Sequence, residues 1–241
     1  MAIYVILPAA GIGTRMAHTA APKQFLSLGD APILIHSLRA FSGLPGLVSI
    51  TVAVRPPEVA RVQEQISAAH PAFTAPILVV PGGDTRQDSV SHALASLRDA
   101  KDDDIVLVHD AVRPLIDAAT IHRILDAVAQ HGAAIVGTPA LDTIKVVERT
   151  SDGAIITSTI PRERVVLAQT PQAFRVGLLR RAFADAESDG FQGTDEASLA
   201  ERAGIPVAVV PGSPRNLKIT QPGDLELAEF YFSHPPPSPN K

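Results

Sequence analysis

Cysteine is absent from the 241 residues, which excludes disulfides, thiolate metal sites and a cysteine nucleophile. Tryptophan is absent too, and aromatic residues make up only 4% of the chain. The core therefore has to come mostly from Val, Ile, Leu and Ala, a bias that suits parallel strands buried on both faces. A surplus of positive charge is also missing. With a formal net charge of −4 there is no overall field to hold a phosphate backbone, so a nucleic-acid partner is not expected and any anion site must be local. No apolar run is long enough to span a bilayer, and Met1-Ala2-Ile3 enters an apolar run with no basic segment before it. The expectation is a cytoplasmic protein without a membrane partner.

What is present is 46% apolar and 19% charged residues, a balance that fits a compact enzyme and argues against disorder. Short apolar runs at Ile3–Leu7, Val48–Val54, Ile77–Val80, Ile105–Val108, Ala134–Val136, Val165–Ala168 and Val207–Val210 alternate with helical patterns. The helical stretches are Ile33–Phe41, Glu58–Ala69, Gln87–Leu97, Ala118–His131, Gly177–Ser188, Thr194–Ala203 and Asp224–Phe232. Such alternation predicts βαβ units with right-handed crossovers: an α/β fold, Rossmann-like, with a mainly parallel sheet and helices on both faces. One stretch breaks the rhythm. Thr143–Arg149 and Ala154–Thr159 are β-rich and joined through Asp152-Gly153, a hairpin signal. From the residues alone it is either an excursion folded on its own subunit or an arm that packs on another. The Pro-rich end, residues 233–241, is expected to be disordered.

In open α/β sheets ligands bind beyond the carboxyl ends of the strands. After the first strand comes Pro8-Ala9-Ala10-Gly11-Ile12-Gly13-Thr14-Arg15, then Pro22-Lys23. Small residues and two glycines let the backbone approach a phosphate and aim N–H groups at it, while Arg15 and Lys23 add two cations. The segment lacks the third glycine of a dinucleotide fingerprint and the Gly-Lys-Ser/Thr of a P-loop. After the third strand, Gly82-Gly83-Asp84-Thr85-Arg86-Gln87-Asp88-Ser89 reads as a tight turn that could receive a base or ribose; equally, Asp84 or Asp88 could simply cap the helix. After the fourth, His109-Asp110-Ala111-Val112-Arg113 offers a carboxylate placed to hold Mg²⁺, or one that caps a turn. His109 is read as a structural neighbour. Asp102-Asp103-Asp104 lies before that strand, at the other end of the sheet, and is read as a solvated turn.

Taken together and in order, PAAGIGTRM, PKQ, GGDTRQDSV, VHDAVRP, ALDTIK, QTPQAF, TDEAS and NLKIT resemble the 2-C-methyl-D-erythritol 4-phosphate cytidylyltransferases. The resemblance covers nearly the whole chain and implies a single domain over residues 1–232 with a β-arm at about 139–162. It implies transfer of CMP from CTP to a polyol phosphate with release of pyrophosphate, Mg²⁺ dependence, and a homodimer joined through the arm. By motif position, Arg15 and Lys23 match the transition-state stabilisers and Asp110 the metal-associated carboxylate. Arg162 and Lys218 match the residues that position the acceptor phosphate, with Thr143 nearby in the arm. Gly82, Asp84 and Ser89 match the cytidine-selecting segment; Pro8, Ala9, Ala10, Gly11, Gly13, Arg113 and Thr170 complete the substrate-binding set. The stretch between Arg15 and Lys23 is longer than the commonest family spacing, and Pro161 before Arg162 departs from the pattern. A ribitol-5-phosphate cytidylyltransferase or a non-catalytic nucleotide-binding module are the competing readings.

Overall fold

Strand β1 (Ile3–Pro8) is apolar at every position before its closing proline, and its side chains divide between two cores. Ile3, Val5 and Leu7 enter one cluster, whereas Tyr4 and Ile6 enter the other. This is the period-two signature of a strand covered on both faces. The computed structural model describes residues 1–11, 22–69 and 73–236. Around β1 it places, in chain order, β2 (Ser27–Leu28), β3 (Ala31–Pro32), α1 (Ile33–Ser42), β4 (Leu47–Val54), α2 (Val59–Ala68), β5 (Ile77–Pro81), α3 (Arg86–Ser96) and β6 (Ile105–Val108). Then follow α4 (Ala118–His131), β7 (Ala133–Pro139), β8 (Ile144–Thr150), β9 (Gly153–Ile160), β10 (Val166–Arg175), α5 (Val176–Asp189), α6 (Glu196–Arg202), β11 (Ala208–Pro211) and α7 (Pro222–Ser233).

The central sheet has the order β11-β7-β10-β6-β1-β4-β5. Its neighbours are parallel except at β10, which runs antiparallel to both β6 and β7. From β1 the chain steps outward to β4 and β5 and then returns to β6 on the other side of β1. That reversal opens a crevice at the carboxyl ends of β1 and β6, where α/β sheets bind ligands. Helices α1, α2 and α4 pack on one face and α3, α5 and α6 on the other. Two of the few aromatics, Phe41 and Phe174, are the largest fully buried side chains, so scarcity did not keep aromatics out of the core.

The predicted strand Val165–Ala168 is only the first part of β10. Its register shifts between Gln169 and Gln172, at the cis Thr170–Pro171 peptide. Proline is tolerated inside a sheet at such an irregularity, so the pairing resumes and carries the strand on to Arg175. The acidic triplet is also not simply solvated. Asp104 is buried and accepts hydrogen bonds from the backbone N–H groups of Ala2 (2.9 Å) and Lys101 (2.9 Å), while Asp102 and Asp103 stay exposed.

The hairpin is present as a separate two-stranded sheet of β8 and β9. All of β9, and all of β8 beyond Ile144, is exposed. Val147 and Ile156 pair across it, and both are large apolar side chains left open to water. Of the Pro-rich end, residues 237–241 lie outside the described residues. No described helix is long and apolar enough to cross a membrane.

A third, smaller core joins the elements beneath the crevice: Leu28, Ile33, Val112, Ile219 and Ala228. Helix α7 is anchored there by Asp224, whose carboxylate accepts from the N–H (2.8 Å) and hydroxyl (2.7 Å) of Thr220 and from the N–H of Gln221 (3.0 Å). Partial burial works against that charge, and the hydrogen bonds from Thr220 and Gln221 outweigh it, holding the carboxyl below its ordinary value. A depressed carboxyl stabilises the fold above the unfolded-state pKa and loses that contribution as pH falls through the folded value. Asp224→Ala should therefore cost about 0.5–2 kcal/mol near neutrality. In urea melts the gap to wild type should narrow below the normal carboxylate range; a pH-independent gap would contradict the assignment.

Candidate active site

Three loops meet at the crevice because each extends the parallel ladder by one further hydrogen bond. Ala9 N–H donates to Ala53 O (2.7 Å), Gly82 N–H to Val54 O (2.6 Å) and His109 N–H to Ile6 O (2.9 Å). The first loop and the turn after β5 then touch. A Cβ on Gly82 would stand 2.9 Å from Ala10 Cβ and 2.8 Å from Ser89 Oγ, so glycine is required for that approach. Lys23 reaches the same crevice from a 3-10 turn, Lys23–Phe25. The next residue, Gln24, donates its Nε2 to Ala9 O (2.8 Å), and Phe25 is buried in the main core. The resulting cleft is lined by Pro8, Ala9, Ala10, Gly11, Lys23, Gln24, Gly83, Asp84, Thr85, Arg86, Ser89, Asp110, Val112 and Lys218.

Asp110 lies at the floor of this cleft and is buried. Its Oδ2 meets Lys218 Nζ at 2.9 Å and Arg113 Nε at 3.4 Å, while Oδ1 takes Arg86 Nε at 3.2 Å. Burial alone would raise its carboxyl; Arg86, Lys218 and Arg113 together outweigh it and hold it far below the usual carboxylate range. Arg86 in turn forks onto Glu196, Nη1 to Oε1 at 2.7 Å and Nη2 to Oε2 at 3.0 Å. Burial disfavours this guanidinium, but the two carboxylates hold it above its ordinary value and therefore charged. Burial pushes the Glu196 carboxyl upward, against the pull of Arg86.

Behind Asp110 the hydrogen bonds form one directed chain. Burial lowers the His109 imidazole to a pKa of about 4, so the ring is neutral at pH 7. Its Nε2 faces Arg113 O (3.0 Å) and its Nδ1 faces Thr170 Oγ1 (3.1 Å), which itself accepts from Asp110 N–H (3.0 Å). A carbonyl can only accept, so Nε2 carries the proton, Nδ1 accepts from the Thr170 hydroxyl, and every member is satisfied. Arg113 Nη1 donates to Asn216 O (2.7 Å), and Asn216 Nδ2 to Thr170 O (2.8 Å), which fixes the loop that carries Lys218.

The sequence-predicted residues thus separate. Pro8, Ala9, Ala10, Gly11, Lys23, Asp84, Ser89, Asp110 and Lys218 share the cleft. Arg113 and Thr170 are buried behind Asp110, and Gly82 packs the turn. Gly13 and Arg15 lie outside the described residues. Thr143 and Arg162 stand at the base of the arm, exposed, and neither lines the cleft of its own chain; Arg162 Nη1 donates to Leu141 O (2.8 Å). Pro161 starts the 3-10 turn Arg162–Arg164, whose Arg164 N–H donates to Pro161 O (3.0 Å). Asp88 forms a capping box with Thr85, so it caps α3 while Asp84 faces the cleft. The Ser89 hydroxyl is taken up by the turn, accepting from Gly83 N–H (3.1 Å) and donating to Thr85 O (2.9 Å). Arg86, Glu196, Asn216 and Gln24 were not singled out from sequence; all four lie in quoted motifs, but nothing in spacing pairs Arg86 with Glu196.

Known proteins share this architecture over nearly all of the chain. The family model for IspD, 2-C-methyl-D-erythritol 4-phosphate cytidylyltransferase, matches residues 3–234. The chain belongs to that family. A 2-C-methyl-D-erythritol 4-phosphate cytidylyltransferase of Acidobacterium capsulatum is 64% identical over 96% of this chain and 98% of its own. The protein of the same description from Solibacter usitatus is 48% identical over 96% of each chain. Among solved structures, the cytidylyltransferase of Francisella tularensis superposes with a TM-score of 0.78 at 35% identity, covering 95% of this chain and 99% of that one.

Proposed function

We propose that this protein transfers CMP from CTP to 2-C-methyl-D-erythritol 4-phosphate, giving 4-diphosphocytidyl-2-C-methyl-D-erythritol and pyrophosphate in isoprenoid biosynthesis. The observation that carries this reading is the convergence of Lys23, Lys218 and Asp110 with the Pro8–Gly11 turn in one cleft, in a chain of that family. The reaction joins two anions. An oxygen of the acceptor phosphate attacks the α-phosphorus, the new O–P bond forms, and the bond to the β-phosphate breaks in line. The acceptor is already a nucleophilic phosphate, so neither a protein nucleophile nor a general base is needed. Positioning and charge neutralisation supply the rate.

Lys23 faces the triphosphate as a point charge, and Arg15, by its place in the motif, adds a guanidinium suited to bidentate phosphate contact. Lys218, anchored on Asp110, holds the acceptor phosphate beside the α-phosphate. Backbone N–H groups of Ala10 and Gly11 after β1 and of Asp84 after β5 receive the nucleotide, with Asp84 and Ser89 shaping the base pocket. Mg²⁺ fits this cleft as an ion that keeps phosphate and water ligands. Asp110 and Asp84 are the carboxylates on the lining, and no cluster of three or more His, Cys, Asp or Glu forms a cage among the described residues. When bound it would neutralise the triphosphate, with Asp110 the carboxylate closest to that role. The enzyme acts in the cytoplasm, without nucleic acid or membrane.

The second half of the acceptor site comes from a partner. The exposed apolar side chains of the arm, Val146, Val147, Ile155 and Ile156, support docking on a second copy. Thr143 and Arg162 at the arm's base would then serve the partner's cleft in a homodimer.

Pyrophosphate release from CTP, crossed against both acceptors, tests the assignment. Methylerythritol phosphate should support turnover and ribitol 5-phosphate should not, and Lys23→Ala should lower kcat by roughly 10²–10³ without unfolding the protein. Preference for ribitol phosphate, or near-normal turnover of Lys23→Ala, would overturn it. For the arm, mixing inactive Arg162→Ala and Lys23→Ala homodimers should restore part of the activity once subunits exchange. No recovery after verified exchange would count against a shared site.

A further inference from the structure

Arg86 lines the cleft yet has no free fork to offer an anion. Both Nη groups are bound to Glu196 at 2.7 and 3.0 Å, and Nε is bound to Asp110 at 3.2 Å. Glu196 is only 1% exposed, and a carboxylate buried to that degree is costly unless it is paired. Its position is set by the strand that also backs Asp110. On β10, Gln172 Nε2 donates to Asp195 Oδ2 (2.7 Å) and its Oε1 accepts from Ala197 N–H (2.8 Å), clamping both neighbours of Glu196. Gln172 itself pairs with Val108, two residues before Asp110. Glu196 and Asp110 are thus held by one rigid stretch of sheet, with Arg86 spanning them.

We propose that Glu196 is a positioning residue for the transfer reaction, converting Arg86 from a phosphate ligand into a strut that fixes Oδ1 of Asp110. The inference rests on the cleft being the CTP site. Three cations, Arg86, Arg113 and Lys218, face two carboxylates, Asp110 and Glu196, so the cluster carries one excess positive charge. Without Glu196 the excess doubles and the Arg86 fork is released toward the cleft. Arg86 would then compete for the triphosphate, and Asp110, with Lys218 bound to its other oxygen, would lose its orientation. Nucleotide binding and turnover should therefore move in opposite directions, which loss of structural support alone would not produce.

The experiment uses the full-length protein, with CTP affinity by calorimetry, kcat by pyrophosphate release, and a thermal melt. Glu196→Gln should bind CTP at least as tightly as wild type while kcat falls about 10–100-fold, the scale of a small misplacement of a reacting group. Glu196→Asp, which keeps the charge on a shorter stem, should recover part of that kcat. Should Glu196→Gln not fold, Arg86→Lys, which keeps the charge but cannot bridge two carboxylates, should give the same split. Wild-type kcat in the variant that folds, or CTP affinity and kcat weakened together, would overturn the inference. Absence of CTP binding by the wild-type protein would overturn the reading of the cleft itself, and this inference with it.

Discussion

Asp110 carries its charge inside the protein, and an isolated buried carboxylate would either take up a proton or unfold its surroundings. Neither happens because Arg86, Arg113 and Lys218 converge on its two oxygens. The three cations come from separate parts of the chain: the first turn of α3, the loop after β6, and the loop after β11. Closing that cluster therefore fixes three loops relative to one another. The same arrangement leaves Lys218 ordered at the cleft, with its charge only partly offset. A preorganised cation of that kind serves an anionic reactant without reorganising during the reaction.

The sheet makes the convergence possible. The reversal of strand order between β1 and β6 brings the loops after β1 and β6 side by side, and the turn after β5 joins them. Beneath the cleft the small core of Leu28, Val112, Ile219 and Ala228 packs the Lys23 segment, the Asp110 loop, the Lys218 loop and α7 together. Ile219 N–H donates to Val112 O (2.9 Å), and Ser37 of α1 donates its hydroxyl to Ala111 O (2.9 Å). Lys23 is tied in separately through Gln24 and Ala9. Packing and polar contacts thus restrain the same few loops, as a site built on positioning requires.

Much of this was legible in the residues. Short apolar runs alternating with helical patterns gave the β and α elements, since local patterning follows burial directly. The Asp152-Gly153 hairpin and the Pro8–Gly11 turn were readable because turn chemistry is local. Fold-level identity came from ordered motifs, and the family match over residues 3–234 agrees with it. The course of β10 was not legible, because Pro171 normally argues against a central strand and only the register shift accommodates it. Nor were the roles inside the site. Arg86 and Glu196 sit far apart in sequence, and the Ser89 hydroxyl, which the sequence offers to a base, is bound within its own turn. Side-chain pairing across loops is a property of the folded chain, and spacing carries no trace of it.

The account turns on Asp110 being an anion whose charge organises the cluster, which an isosteric neutral replacement tests directly. In Asp110→Asn, Arg86, Arg113 and Lys218 would face Glu196 alone. Stability measured by urea unfolding should fall by about 3–5 kcal/mol, the cost of removing one partner from a buried ion cluster, and CTP-dependent pyrophosphate release should be lost in the variant that remains folded. A variant with the wild-type unfolding midpoint and wild-type turnover would contradict the account.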